Sequence, residues 1–455
     1  MSDDYRNRRA LVIGLGRSGL AACALLRSKG AEVVANDRRT RAEIEPKALA
    51  AIDAKLVLGS HPTELLEDID WIVLSPGVPL SLPLLVEARR RDIAIWSELE
   101  LGFRHLRGTV VAVTGTKGKS TTTTLLGDML RAGGREARLA GNIGAPLTAE
   151  LEGASAETVF VLEVSSFQLT CIDTFRPHIA VLLDVSPDHL DWHPSFEDYV
   201  RAKARIFQNQ RRNDWAVVYG GNPLTVDMAS KAKSRKLYFD LDCLGENYPH
   251  VHKEGPWIVR HDNGEITPLA SLEDFSVPGK HNRTNAMAAS ATAALLGLSG
   301  EALEEAFEQF EGLPHALERV AEIGGVRFYN DSKATNIQAV RAALESFEGS
   351  IVLILGGRFK GGDFRDLRNL AAKRVKHVLA IGESREAVSA ALRDVTTVEI
   401  CDGLEAAVQK AHASAVAGDV VLLSPAGSSF DMFRDYQERG ERFREIVRGL
   451  ARAEE

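Results

Sequence analysis

Cysteine is scarce in this chain: Cys23, Cys171, Cys243 and Cys401 lie far apart, and none stands in a C-x-x-C pair. That pattern fits reduced, mostly buried thiols in a cytoplasmic protein. A basic excess is missing too. The formal net charge is −8, so no surplus of cations exists to neutralise a phosphate backbone, and nucleic acid is not expected as a partner. No apolar run approaches the roughly 18 residues that span a bilayer, and the polar opening MSDDYRNRR does not read as a secretory signal. Membrane insertion is therefore not expected. Short repeats and low-complexity segments are absent as well. What remains is a soluble chain of 455 residues, 45% hydrophobic and 26% charged, long enough for roughly two to four domains.

Strand and helix patterns alternate over the first hundred residues. Residues 10–13, 32–35 and 70–74 read as strands, 18–29 as a helix, and Ser75-Pro76-Gly77-Val78-Pro79 as a turn. A second block, from Thr109, has strands at 158–164 and 179–185 and a helix near 196–208, whose Ser195 and Asp198 resemble a capping box. Residues 211–275 are irregular and strand-rich, with a hairpin turn at Asp262-Asn263-Gly264. The alanine-rich stretch 285–296 reads as a helix, 301–310 as another, and Gly312-Leu313-Pro314 as a linker. Strands at 326–330, 350–355, 377–381 and 420–423 then alternate with helices, the last near 430–448. Alternation of this kind implies parallel sheets with crossover helices. The expectation is an α/β protein of three domains, at 1–97, 98–312 and 313–455.

The apolar run 110–113 leads into Thr114-Gly115-Thr116-Lys117-Gly118-Lys119-Ser120-Thr121. A buried strand, a glycine turn and a helix opening on Lys-Ser cradle the phosphates of a nucleoside triphosphate. Backbone N–H groups face the anion, Lys119 neutralises it and Ser120 reaches Mg2+. Val113 stands where the general pattern has its first glycine, so the motif is the variant T-G-T-x-G-K-S-T; Lys117 is either solvated or leaning on a phosphate. Gly14-Leu15-Gly16-Arg17-Ser18-Gly19 has dinucleotide spacing between a strand and a helix, with Asp37 at the end of the next strand. A nucleotide or phosphate is expected there. NAD does not follow, because a helix N-terminus holds any diphosphate, and Asp37 could meet a base, a ribose or water.

Glu163 ends the buried run 159–162, where a carboxylate holds magnesium in nucleotide hydrolases. Ser165, Ser166 and Gln168 behind it suit a polar substrate or a helix cap. Asp188-His189-Leu190-Asp191 follows another strand end, the edge at which open α/β sheets bind ligands, and His189 is either a ligand there or a loop histidine. Lys203, between Arg201 and Arg205, reads on its own as a solvated lysine. His281-Asn282-Arg283-Thr284-Asn285 precedes the alanine-rich helix with two amides three residues apart, suited to a purine edge or to capping. Asn330-Asp331-Ser332-Lys333-Ala334-Thr335-Asn336 crowds polar groups between a strand and a helix, which a ligand would explain. Gly356-Gly357-Arg358-Phe359-Lys360-Gly361-Gly362 and Ser424-Pro425-Ala426-Gly427-Ser428-Ser429 close two further strands on one sheet edge.

In order, T-G-T-x-G-K-S-T, E-V-S-S-F-Q-L, D-H-L-D, H-N-x-x-N, N-D-S-K-A-T-N and the run from Ser424 to Phe443 resemble the Mur ligase family over essentially the whole chain. S-S-F-Q-L and the last run are most similar to members that add D-glutamate; the D-N-P-R of the diamino-acid-adding members is absent. The resemblance implies an N-terminal Rossmann-like domain for a UDP-sugar, a central P-loop ATPase-type α/β domain and a C-terminal Rossmann-like domain for an amino acid. It implies a cytoplasmic, monomeric, ATP- and Mg2+-dependent amide-forming ligase of peptidoglycan precursor synthesis. Its substrates would be UDP-N-acetylmuramoyl-L-alanine and D-glutamate, joined through an acyl phosphate. The alternative is a related Mur or folylpolyglutamate-type ligase with another amino acid; a nucleotide-binding oxidoreductase or sensor would explain only the first glycine loop.

By position, the resemblance implies Gly115 to Thr121, Asn282, Asn285, Asp331 and Lys333 for ATP. It implies Lys119, Glu163, His189 and Lys203 for catalysis, and Ser120, Glu163, His189 and Lys203 for magnesium. Lys203 can serve only as a carbamate, because an ammonium group has no lone pair. It further implies Ser18, Asp37, Arg38 and Ser75 for uridine diphosphate, and Asn142, Ser165 and Gln168 for the muramoyl portion. Thr335, Lys360 and Ser429 would hold D-glutamate, with Tyr436 where the family has phenylalanine. Members often carry L-x-H-R, with an arginine near the γ-phosphate; this chain has His315-Ala316, and Arg319 is the candidate to reach the same space.

Overall fold

A computed structural model describes residues 5–50, 52–190, 192–241, 248–359 and 361–454. Three sheets follow one another along the chain. The first has β1 (Arg9–Ile13), β2 (Glu32–Asp37), β3 (Lys55–Leu58), β4 (Trp71–Leu74) and β5 (Ala94–Ser97), all parallel, in the order β3-β2-β1-β4-β5. The second has β6 (Thr109–Thr114), β7 (Ala137–Gly141), β8 (Val159–Glu163), β9 (Ile179–Leu182), β10 (Trp215–Tyr219), β11 (Arg235–Phe239), β12 (His250–Glu254), β13 (Trp257–Asp262) and β14 (Glu265–Ser271). Their order is β14-β13-β12-β11-β10-β9-β6-β8-β7, and only the β12–β13–β14 edge is antiparallel. The third has β15 (Glu318–Ile323), β16 (Val326–Asn330), β17 (Ile351–Gly356), β18 (Val375–Ile381), β19 (Thr397–Ile400) and β20 (Val420–Leu423), in the order β15-β16-β20-β17-β18-β19, with β15 antiparallel. The first two sheets, with residues 284–307, form one compact unit; the third, with residues 274–283, forms another.

The central strands form because their sequences suit burial on both faces. Ala10 to Ile13, Val159 to Leu162 and Val420 to Leu423 are all fully buried, as continuous apolar runs in parallel sheets should be. Strand order then decides where ligands can go. In each sheet the order reverses beside a central strand, and the loops leaving the C-terminal ends of the flanking strands open a crevice there. In the first sheet these loops follow β1 and β4; in the second they follow β6, β8 and β9; in the third they follow β16, β17 and β20. The motif-bearing loops are these loops.

Within the first unit, the helix Glu98–His105 ties the two sheets together. The Ser97 amide donates to Cys171 O at 2.8 Å, and Glu100, fully buried, accepts from the amides of Asp173, Thr174 and Phe175. Glu98 accepts from the amide and hydroxyl of Thr148 at 2.7 Å each.

Several elements differ from the sequence reading. The alanine-rich helix begins at Lys280 rather than 285, so His281 to Asn285 lie inside it; their polar side chains hide the apolar period of its first turn. The last helix is Tyr436–Glu454, because the residues before it are spent on the loop holding Ser429. Edge strands β3, β7 and β19 are short and only partly buried, so they carry little pattern. Asp262-Asn263-Gly264 is the expected turn, with Asn263 at φ 52° and Gly264 at φ 85° joining β13 to β14. Among the described residues, no helix is long and apolar enough to cross a membrane.

Candidate active site

The loop after β6 leads into the helix Lys119–Ala132, whose N-cap is Gly118 in the left-handed region (φ 84°) with no side chain capping it. The first-turn N–H groups are left for an anion. A Cβ on Gly118 would stand 2.3 Å from Asn285 Oδ1, so the second asparagine of the H-N-x-x-N motif packs on the phosphate loop itself. Lys119 Nζ donates to the carbonyls of Gly115 (3.1 Å) and Thr116 (2.9 Å). Thr116 Oγ1 donates to Ser186 O and lies 3.0 Å from Tyr199 Oη. Lys117 is exposed and Thr121 half-buried.

Glu163, at the tip of β8 and 3% exposed, accepts from Ser120 Oγ at 2.6 Å and Asn142 Nδ2 at 2.7 Å. The Asn142 amide also donates to Glu163 O. Ser165 and Gln168 form a reciprocal capping box on the helix Ser166–Thr170; both are buried, and each uses its polar side chain on the other. His189 follows the β9 end at φ 53°, exposed, its Nε2 3.8 Å from Asp188 Oδ2 and its ring against Phe167.

Lys203 overturns its isolated reading as a solvated lysine. It is 2% exposed, while Arg201, two residues back on the helix Phe196–Ala204, is exposed, because residues two apart face different sides of a helix. Its Nζ donates to Gly115 O at 2.7 Å and lies 4.7 Å from the Tyr199 ring centre. Burial pushes the amine down to about 7, and the charge of Lys119 adds to this against Asp188 and Glu163. Tyr199 was not singled out in the sequence; its position four residues before Lys203 on one helix face is the signal that reveals it.

In the first sheet's crevice, Gly19 brings its helix close to the strand loop: a Cβ there would meet Gly14 O at 1.8 Å. Ser18 lies half-buried in the first turn of the helix Arg17–Ser28, and Ser75 Oγ donates to Gly14 O at 2.7 Å. Asp37 accepts from the Leu15 amide at 2.7 Å and from the amide and guanidinium of Arg39. Burial raises its carboxyl, but Arg39 and these bonds outweigh that and hold it at about 2. Arg38 is exposed. A small cleft lined by Ser75, Pro76, Phe167, Gln168 and Trp192 joins this edge to the second sheet's loops.

The second unit gathers its own set. Asp331, 8% exposed at the β16 tip, accepts from Ser424 Oγ at 2.8 Å and from the Leu317 amide at 3.3 Å. Burial raises its carboxyl to about 7 against Ser424, the Leu317 amide and Lys333. Lys333 is exposed, Thr335 and Tyr436 half-buried. Ser429 is 2% exposed, its carbonyl taken by the amides of Met432 and Phe433. The loops after β17 and β20 are joined by paired 2.9 Å bonds between Arg358 and Ser428. Asn282 Nδ2 donates to Pro278 O. Arg319 lies on β15, paired with Glu322 at 2.7 Å. Lys360, Asp191 and Cys243 lie outside the described residues.

Three domain families match the chain in succession: the Mur ligase MurD-like N-terminal domain at residues 8–97, the Mur ligase middle domain at 113–293, and the Mur ligase glutamate ligase domain at 317–427. The chain is 41% identical to the UDP-N-acetylmuramoylalanine–D-glutamate ligase of Koribacter versatilis over 455 residues, 99% of each chain. It is 42% identical to the enzyme of the same name from Geotalea daltonii over 452 residues, 98% of this chain and 99% of the other. Its fold is similar to the UDP-N-acetylmuramate-alanine ligase of Thermotoga maritima (TM-score 0.57, 20% identity, 97% of this chain and 99% of that one). It is also similar to a type C pseudomurein peptide ligase from Methanothermus fervidus (TM-score 0.56, 20% identity, 98% and 100%).

Proposed function

The chain belongs to the Mur ligase family, and we propose that it is the ATP-dependent ligase that adds D-glutamate to UDP-N-acetylmuramoyl-L-alanine in peptidoglycan precursor synthesis. The observation that carries the chemistry is the joining of the phosphate loop to Glu163 through Ser120 at 2.6 Å, with Lys203 buried against the same loop. ATP suits the uncapped helix at Gly118, with Lys119 leaving its loop carbonyls to meet the phosphates. Asn285 packs on the same loop at Gly118, and Asn282, Asp331 and Lys333 are assigned to ATP by their place in the family motifs.

Ser120 Oγ and Glu163 Oε2 are adjacent hard oxygen donors and fit magnesium. Among the described residues, no three His, Cys, Asp or Glu side chains form a metal cluster; the remaining ligands would come from phosphate, water, His189 and a Lys203 carbamate. When bound, magnesium supplies charge neutralisation on the phosphates. Lys203 suits carbamoylation because an uncharged amine can attack CO2: an N–C bond forms, one C=O pair moves to oxygen, and the nitrogen proton leaves to solvent.

The reaction then needs little covalent help from the protein. A carboxylate oxygen of the UDP-sugar substrate attacks the γ-phosphorus, and the bond to ADP breaks, giving an acyl phosphate. The D-glutamate nitrogen attacks the acyl carbon, phosphate leaves, and the amine proton goes to solvent. Lys119 offsets the charge of the transferring group. Asn142 fixes the Glu163 carboxylate, and Ser165 with Gln168 shapes the muramoyl side. Ser18, Arg38 and Ser75 meet the uridine diphosphate, while Asp37 acts by fixing Leu15 and Arg39. Thr335, Lys360, Ser429 and Tyr436 receive D-glutamate. The domains are taken as 1–97, 98–312 and 313–455, in a cytoplasmic monomer. The test is phosphate release from Mg-ATP in the presence of UDP-N-acetylmuramoyl-L-alanine, with amino acids exchanged one at a time; equal release without D-glutamate, or with L-lysine in its place, overturns the assignment.

A further inference from the structure

His193 is 3% exposed and has no part in the chemistry just described. It closes the turn after β9: its amide donates to His189 O at 2.9 Å. Its Nε2 lies 2.9 Å from Ser166 Oγ, in the helix that follows Glu163. The imidazole stacks on Phe167, centres 5.7 Å apart and planes 9° from parallel, and meets Tyr199 edge-on at 5.3 Å. Tyr199, 1% exposed, is the wall beneath Lys203, and its Oη reaches Thr116 in the phosphate loop at 3.0 Å. One buried imidazole thus joins the strand-end motif after Glu163, some distance back in the sequence, to the turn of His189 and to the helix directly after that turn, which carries Lys203.

We propose that His193 is a positioning residue for Lys203: it holds the Tyr199 ring against the lysine and ties that wall, through Ser166, to the motif following Glu163. The inference rests on the reading of Lys203 as a carbamate. A carbamate persists where its nitrogen is kept from water and from protons, and the Tyr199 ring provides that shelter only while its own edge is held. Phe196 stacks on Tyr199 at 6.3 Å and Phe167 lies on the imidazole, so the ring of His193 packs directly between the Ser166 helix and the Tyr199 ring, at 5.3 Å from the latter, beside a more distant contact of Tyr199 with His189 at 6.3 Å. Volume alone would not do this, since an edge-on aromatic contact is directional.

The experiment is carbon NMR of the full chain, without nucleotide or magnesium, in isotope-labelled bicarbonate. The wild type gives a carbamate resonance that is lost in Lys203→Ala. His193→Phe keeps the ring edge and retains the resonance. His193→Gln keeps a polar atom for Ser166 but loses the ring, and its carbamate falls about fivefold at equal bicarbonate, the size of one such aromatic contact. Raising bicarbonate restores both the resonance and the ligase activity of that variant. If the glutamine variant does not fold, His193→Met takes its place with the same expectation. Equal carbamate in wild type, His193→Phe and His193→Gln overturns the inference while leaving Lys203 as assigned. A wild type without the resonance overturns the carbamate reading and the inference with it.

Discussion

Asp331→Asn should change how the stability of the third sheet depends on pH. The carboxyl is 8% exposed and held by two hydrogen bonds, from Ser424 and the Leu317 amide. Burial lifts it from 3.8 to about 7. The folded value lies above the unfolded one, so the folded state binds the proton more tightly. The stability gained from that proton is fully present below about pH 4, declines as pH rises through the window, and is gone above about pH 7. At 1.36 kcal/mol per unit the whole window amounts to about 4 kcal/mol, of which about 3 kcal/mol falls between pH 5 and pH 8. Asparagine keeps the shape and cannot ionise, so it removes this dependence. All five tryptophans (Trp71, Trp96, Trp192, Trp215 and Trp257) lie outside the third sheet, so none of them is a reporter within it. Amide exchange of β16 and β20, followed by mass spectrometry in mild urea, reads it directly. The protection of Asp331→Asn relative to wild type should be about a hundredfold greater at pH 8 than at pH 5. A ratio that does not change with pH would refute the reasoning.

Three further outcomes are expected. Gly118→Ala places a Cβ on Asn285 and a side chain in the left-handed region; at about 1–2 kcal/mol of strain in the loop, the KM for ATP should rise about tenfold, and an unchanged KM would reject the contact. Asp37→Ala should cost about 1–2 kcal/mol in urea unfolding at neutral pH, discounted because Arg39 is partly exposed. Its folded carboxyl is held low at about 2, so this stability is present above about pH 4 and lost as pH falls through 2. Uridine nucleotides should bind it more weakly too, and normal stability with normal binding would remove Asp37 from its role. Glu163→Gln should lower kcat about a hundredfold or more while calorimetry shows the UDP-sugar substrate binding as before; activity within a few-fold of wild type would contradict its place beside Ser120.

The crevice loops were legible in the sequence because each is a buried strand ending in glycine, proline or charge, and that punctuation survives without tertiary information. Gly115, Gly118 and Asp331 fall in such loops, and Glu163 ends the strand that opens one. Lys203 was not legible from its own neighbours, since Arg201 and Arg205 look the same in composition and only the helix orientation separates buried from exposed. Tyr199 and His193 were missed because aromatic residues near a motif read as ordinary core. Asn285 reads as the first residue of its helix, yet the helix begins five residues earlier at Lys280, and the contact of Asn285 with Gly118 is visible only in the structure. Ser165 and Gln168 carried two readings, and the capping box between them shows why a motif alone could not separate substrate binding from helix capping. Arg319, the candidate for the space beside Ala316, lies on β15 in an exposed pair with Glu322 at 2.7 Å.

One oxygen atom tests the central claim most directly. UDP-N-acetylmuramoyl-L-alanine, labelled with heavy oxygen in its alanine carboxylate, is turned over with Mg-ATP and D-glutamate, and the phosphate is weighed by mass spectrometry. Transfer through an acyl phosphate puts one heavy oxygen into each phosphate released, and does so in step with amide formed on D-glutamate. Phosphate without the label, or labelled phosphate formed without D-glutamate being joined, would contradict it.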